Sequence, residues 1–207
     1  SVLNADLSTV SIRGLLQQSA LPVALNLNMV QPLSNLSMPA SARVSALDVR
    51  VCNFLTTIDL PGAQSLAVLN LVQLPLHSTL RLPAVTSISG PFLLLMLPAL
   101  SALDLPSLRS ASSLDFNLLP SLSSLVGLSA LRSATRLDFQ LLPSLTSLEG
   151  LNQLSSLSGA AFTDCAITSL QPMRRAFTTL PGGLTLSSLP NLTSLNGTER
   201  IELAHEL

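Results

Sequence analysis

The chain has no lysine, no tyrosine and no tryptophan, and only 10% of its residues are charged. A net charge of −1 argues against a phosphate-binding groove, which needs a basic surface, so no nucleic-acid partner is expected. Missing Tyr and Trp remove the aromatic anchors common at protein-interface hot spots. Histidine occurs only as His77 and His205, which leaves few ways to build a nucleophile, base and orienting acid in contact. No Cys/His cluster has metal-ligand spacing, and no Gly-rich phosphate loop occurs. No catalytic residue, metal or cofactor is therefore expected. Long apolar runs are also missing, despite a mean hydropathy of +0.54. The longest, Pro91 to Leu100, falls well short of the ~20 residues that span a bilayer. No leader is visible at Ser1; the chain opens directly into SVLNADLSTV, as a trimmed product would.

What is present is leucine, 51 of 207 residues, distributed by a repeat. Leu114 to Arg136 reads LDFNLLPSLSSLVGLSALRSATR, and Leu137 to Gly159 reads LDFQLLPSLTSLEGLNQLSSLSG. These near-copies set the period, which decides the architecture. Equivalents of Pro120 and Pro143 are Ala5, Gln31, Asn53, Pro75, Pro98, Cys165 and Pro190, mostly 22 or 23 residues apart. Five positions beyond each anchor the residue is aliphatic: Val10, Leu36, Ile58, Leu80, Leu103, Leu125, Leu148, Leu170 and Leu195. Two positions beyond, only His77 interrupts a leucine/isoleucine column. Between them stand nine hydroxyl residues: Ser8, Ser34, Thr56, Ser78, Ser101, Ser123, Thr146, Thr168 and Thr193. Ser and Thr make up 45 of 207 residues, so chance does not account for that column.

Upstream of the anchors run apolar pairs such as Leu47/Val49, Leu114/Phe116 and Leu137/Phe139, and Pro39, Pro61, Pro83 and Pro106 mark a second corner. Alternation within each straight piece points one set of side chains inward and the other outward. Proline belongs at corners because it cannot donate to a central ladder. The expected fold is mainly β: a leucine-rich-repeat-like, right-handed β-solenoid of about eight or nine coils, 22–23 residues per coil. At the strand spacing it forms a rod about 40 Å long. Residues 1–207 form one domain: 1–24 the N-terminal cap and first coil, 25–197 the repeats, 198–207 the C-terminal cap. Short cap helices are expected at Leu15 to Ala20 and Thr198 to Leu207. Cys52 and Cys165 lie five coils apart, roughly 24 Å, far beyond the ~7 Å a disulfide allows. Both are read as unpaired core thiols.

The phrases LPSLTSLEGLNQLSSLSG, Leu100-Ser-Ala-Leu103-Asp-Leu105 and Leu33-Ser-Asn-Leu36-Ser-Met38 resemble leucine-rich repeats. Within these they are most similar to the receptor L-domain-like solenoids of fungal and other eukaryotic cell surfaces. The resemblance covers roughly residues 25 to 197. It implies a non-enzymatic extracellular or cell-surface protein that binds or builds, with any membrane association made through an anchor outside this sequence.

Outward positions of the first straight piece carry Asn26, Asp48, Asn70, Asp115 and Asp138. Those of the second carry Ser37, Asp59, Arg81, Asp104, Glu149, Gln171 and Asn196. Solenoids bind partners on extended side-chain arrays of this kind. The candidate binding face is Asp59, Arg81, Asp104, Asp115, Asp138 and Glu149; the alternative is a merely soluble face with Arg81 neutralising Asp59 and Asp104. Leu93 and Leu95 fall at outward positions and are candidate apolar contacts, or are covered by a neighbouring loop. The hydroxyl column reads as a structural ladder bonded to backbone, with little room to project between inward leucines; a water-, ice- or glycan-ordering array is the other reading. Asn35, Asn191 and Asn196 begin glycosylation sequons, three where about two are expected by chance. Three functions remain in play: recognition of a protein or glycan along a polar strand face, a self-assembling structural subunit of a wall, sheath or filament, and an ice-binding solenoid.

Overall fold

The computed structural model describes residues 22–31, 33–177 and 180–201, with the strand path of 2–4. In chain order the strands are β1 (Val2–Asn4), β2 (Val23–Asn28), β3 (Asn35–Ser37), β4 (Val44–Arg50), β5 (Thr57–Asp59), β6 (Ser65–Leu66), β7 (Val68–Val72), β8 (Thr79–Arg81), β9 (Ser87–Leu95), β10 (Ala102–Asp104), β11 (Ser110–Asn117), β12 (Ser133–Leu142), β13 (Ser156–Cys165) and β14 (Leu184–Ser187). They form a parallel β-solenoid. Sheet A runs β1-β2-β4-β7-β9-β11-β12-β13-β14, with β6 also on β9; sheet B runs β10-β8-β5-β3. From β2 to β14 the chain makes seven turns, slightly fewer than the repeat count implied.

Sheet A follows from the alternating apolar pairs. Leu47/Val49, Leu69/Leu71, Phe92/Leu94, Leu114/Phe116 and Leu137/Phe139 all point inward and are fully buried. Parallel register stacks like on like: Phe116 pairs with Phe139, and Phe139 with Phe162. The Phe116 and Phe139 rings stack with centroids 5.0 Å apart, while Phe139 and Phe162 meet edge to face at 5.6 Å. Such pairs add roughly 0.5–1.5 kcal/mol each beyond burial.

Each coil leaves sheet A through one left-handed residue: Met29, Val51, Gln73, Met96, Leu118, Leu141, Asp164 or Ser188, with φ between 51° and 58°. None is glycine, so each costs on the order of 1–2 kcal/mol. The conformation turns the chain while the ladder continues: Val51 N–H donates to Val72 O and Gln73 N–H to Leu95 O, both at 2.9 Å. It also delivers an inward side chain next, in the row Val30, Cys52, Leu74, Leu97, Leu119, Leu142 and Cys165. Cys165 pairs with Leu142. It therefore precedes the corner and is not an equivalent of Pro143, as the spacing implied; the corner of that coil is one residue shorter. Cys52 and Cys165 are buried and unpaired.

Sheet B stops after Asp104 because glycine enters the next two coils. Gly127 and Gly150 lie against the Leu103 and Leu125 carbonyls so closely that a β-carbon would collide, and Gly150 has φ +107°. A 3-10 turn, Val126–Leu128, replaces the strand there, and a second, Gln171–Met173, follows two coils on. Leu125 and Leu148 remain buried in their column, whereas Leu195 of the last coil is 58% exposed. No described coil covers it.

The expected cap helices are not seen among the described residues. Residues 198–201 form a turn closed by Ile201 N–H to Thr198 O at 3.0 Å. Leu15 to Ala20 and 202–207 lie outside the described residues.

Candidate functional site

The two sheets present two separate outward faces. Strand alternation and register lay the outer face of sheet A out in two parallel rows. The first runs Asn26, Asp48, Asn70, Leu93, Asp115, Asp138, Ala161 and Thr185. The second, two residues on, runs Asn28, Arg50, Val72, Leu95, Asn117, Gln140, Thr163 and Ser187. At the middle of the rod the rows turn apolar: Val72, Leu93 and Leu95 are half-buried neighbours on β7 and β9. No loop covers them among the described residues, so Leu93 and Leu95 contribute to a solvent-facing patch.

Polar groups flank that patch on both sides. Toward the N-terminus Arg50 Nε meets Asp48 Oδ1 at 2.7 Å, and Asn70 Nδ2 donates to Asp48 Oδ2 at 3.3 Å. Asn70 is nearly buried, and its Oδ1 has no partner. Toward the C-terminus Arg136 Nη2 meets Asp138 Oδ2 at 3.2 Å, and Gln140 Nε2 donates to Asp138 Oδ1 at 2.9 Å. Asn117 Nδ2 reaches Gln140 Oε1 at 3.4 Å. Asp115 sits between Leu93 and Asp138 with neither an ion pair nor a hydrogen bond to a described side chain. Partial burial pushes its carboxyl above the usual range, the Asp138 charge adds to this, and Arg136 opposes it.

The expected binding face therefore divides. Asp115 and Asp138 lie on sheet A; Asp59, Arg81 and Asp104 are register partners on sheet B. The repeat already assigns the two groups to different straight pieces; the bend between the pieces turns them into two separate faces. On sheet B, Arg81 Nε pairs with Asp104 Oδ2 at 3.2 Å and leaves Asp59 aside. Both partners are well exposed, so the pair contributes only ~0–1 kcal/mol. Glu149 belongs to neither sheet. It accepts from Asn152 Nδ2 at 3.0 Å in a polar groove of about 500 Å³ that also holds Gln153, Arg174 and Arg175.

The hydroxyl column does project. Ser34, Thr56, Ser78, Ser101, Ser123, Thr146, Thr168 and Thr193 are all exposed, because the turn ahead of sheet B carries their side chains outside the flanking leucines. Three of them also brace the stack: Thr56, Ser101 and Thr168 donate to the carbonyls of Ser34, Ser78 and Thr146 one coil earlier, at 3.0, 3.3 and 3.2 Å. Asn35, Asn191 and Asn196 are exposed as well. His77 is fully buried; its Nδ1 lies 3.1 Å from Thr56 O and its Nε2 has no partner. His205 lies outside the described residues, and among these no cluster of three acidic, Cys or His residues could hold a metal ion. No described helix is long and apolar enough to cross a membrane.

Sequence reasoning missed the apolar corner bordering sheet A. Met29, Phe54, Leu76, Met96 and Leu141 are each more than 40% exposed along it. Comparison with protein-family models, curated proteins and solved structures found no match to this chain.

Proposed function

We propose that the chain is a non-enzymatic recognition module of an extracellular or cell-surface protein, and that it binds a protein partner across the outer face of sheet A. One observation carries the reading: an apolar centre of Val72, Leu93 and Leu95 on the outer strand face, flanked on the neighbouring strands by Arg50, Asn70, Asp115 and Asn117. Interfaces share that anatomy, with a desolvated centre inside a polar rim. A glycan is served less well, because this face offers no aromatic ring for stacking on sugar. The resemblance to receptor L-domain-like leucine-rich repeats and the three exposed sequons support the surface location. The test is affinity capture from the extracellular fraction of the source organism, comparing the wild type with Leu95→Arg and with Asp59→Asn on sheet B. Capture lost with Leu95→Arg alone supports the reading; capture indifferent to Leu95→Arg contradicts it.

The exposed apolar corner favours one other reading, a structural subunit that assembles with its own kind. Sedimentation that rises with concentration, and returns to monomer on Phe54→Ser or Met96→Ser, would put that reading first.

A further inference from the structure

On the outer face of sheet A, Asp48 and Asp138 each hold an arginine two residues away on their own strand, Arg50 and Arg136 respectively. Asp115 does not. The positions two before and two after it are Ser113 and Asn117. One coil on, Arg136 stands where this strand has Ser113, and the two are Cα partners on β12 and β11. One guanidinium therefore serves two carboxylates, and it pairs with Asp138. On its other side Asp115 adjoins Leu93, and its strand neighbour Asn117 adjoins Leu95. At the edge of its apolar centre the face thus carries a half-buried carboxylate that has no ion pair of its own among the described residues.

We propose that Asp115 is the cation-accepting position of this face. It takes an arginine from a protein partner, and an aliphatic side chain next to that arginine covers Leu93 and Leu95. This rests on the reading of sheet A as the binding face. Arginine fits better than lysine because its planar fork can pair bidentately with a carboxylate. Its stem can lie along Leu93 while the charged head stays hydrated at the rim.

The experiment uses an immobilised array of octapeptides, each with a central arginine between aliphatic residues, alongside counterparts carrying citrulline or glutamate. The wild-type chain should bind arginine spots about tenfold more strongly than citrulline spots, because citrulline keeps the shape of the side chain but removes the charge that assists the hydrogen bond. Asp115→Asn, which keeps the shape, and Ser113→Arg, which supplies the missing cation from within, should each abolish that preference; Asp59→Asn should keep it. Equal binding to arginine and citrulline, or a preference that survives Asp115→Asn, overturns the proposal. If binding lacks the arginine preference yet is lost in Leu95→Arg, the face binds and only the role of Asp115 falls. If no spot binds, or binding ignores Leu95→Arg, the sheet A reading falls with it.

Discussion

Asp115 and Asp138 are Cα partners on adjacent parallel strands, yet only Asp138 carries an arginine. Like charges directly opposite each other destabilise a sheet. The pair therefore weakens the free protein, a cost to be expected at a binding face and without purpose on a merely solvated one.

A pH titration of stability exposes that cost. The folded protein holds the Asp115 proton more tightly than the unfolded chain does, because burial and Asp138 raise its carboxyl above 3.8. Its favourable contribution is fully present below the unfolded value and is lost as pH rises through the raised folded value. Asp115→Asn should thus match or exceed the wild-type melting temperature at neutral pH, and its advantage should vanish on acidification. A variant less stable than wild type at neutral pH would show that the carboxylate is compensated.

His77 has the opposite sign. Burial lowers its pKa below 6.5, only partly offset by the bond to Thr56 O. Its neutral form is the folded form, so stability is full above 6.5 and falls as the pH drops toward the depressed folded value. Leucine occupies the same column at Leu55 and Leu100. His77→Leu should remove this acid sensitivity and, by deleting an unpaired buried nitrogen, stabilise by about 1–3 kcal/mol at acidic pH. Identical pH profiles for the two proteins would contradict this.

Two glycines separate backbone strain from crowding. Gly183 has φ +77° with open space where a β-carbon would stand, whereas Gly150 has φ +107° and sits against Leu125 O. Gly183→Ala should cost about 1 kcal/mol from φ alone, and Gly150→Ala roughly 2–4 kcal/mol. Equal losses in chemical denaturation would mean that the coil can shift to admit a methyl group.

Sequons offer a test of compartment. Expression through a secretory host should add glycan mass at Asn35, Asn191 or Asn196, all exposed. An unmodified protein recovered from that pathway would count against a surface location.

The solenoid was legible because burial imposes periodicity. Every described member of the column from Leu36 to Leu170 is buried, and Pro98, Pro120 and Pro143 mark the corner. The corner conformation was not legible: the eight left-handed positions hold Met, Val, Gln, Leu, Asp and Ser rather than Gly or Asn, so no residue type announces them. The end of sheet B was hidden as well, since Leu125 and Leu148 keep the spacing after Gly127 and Gly150 have removed the strand. The candidate site was half legible. Alternation along each strand identifies Leu93, Leu95, Asp115 and Asp138 as outward, and the repeat assigns Asp59, Arg81 and Asp104 to a different straight piece; the angle that turns the two pieces into separate faces depends on how the coil bends.

Hydroxyl-radical footprinting of the chain with and without its captured partner tests the central claim most directly, because leucine and methionine side chains report their own accessibility. Leu93, Leu95 and Met96 should lose reactivity in the complex while Val126 and Leu195, exposed elsewhere on the coil, keep theirs. Protection of Val126 and the sheet B side, with Leu93 and Leu95 unchanged, would contradict the claim and move the binding face to the other sheet.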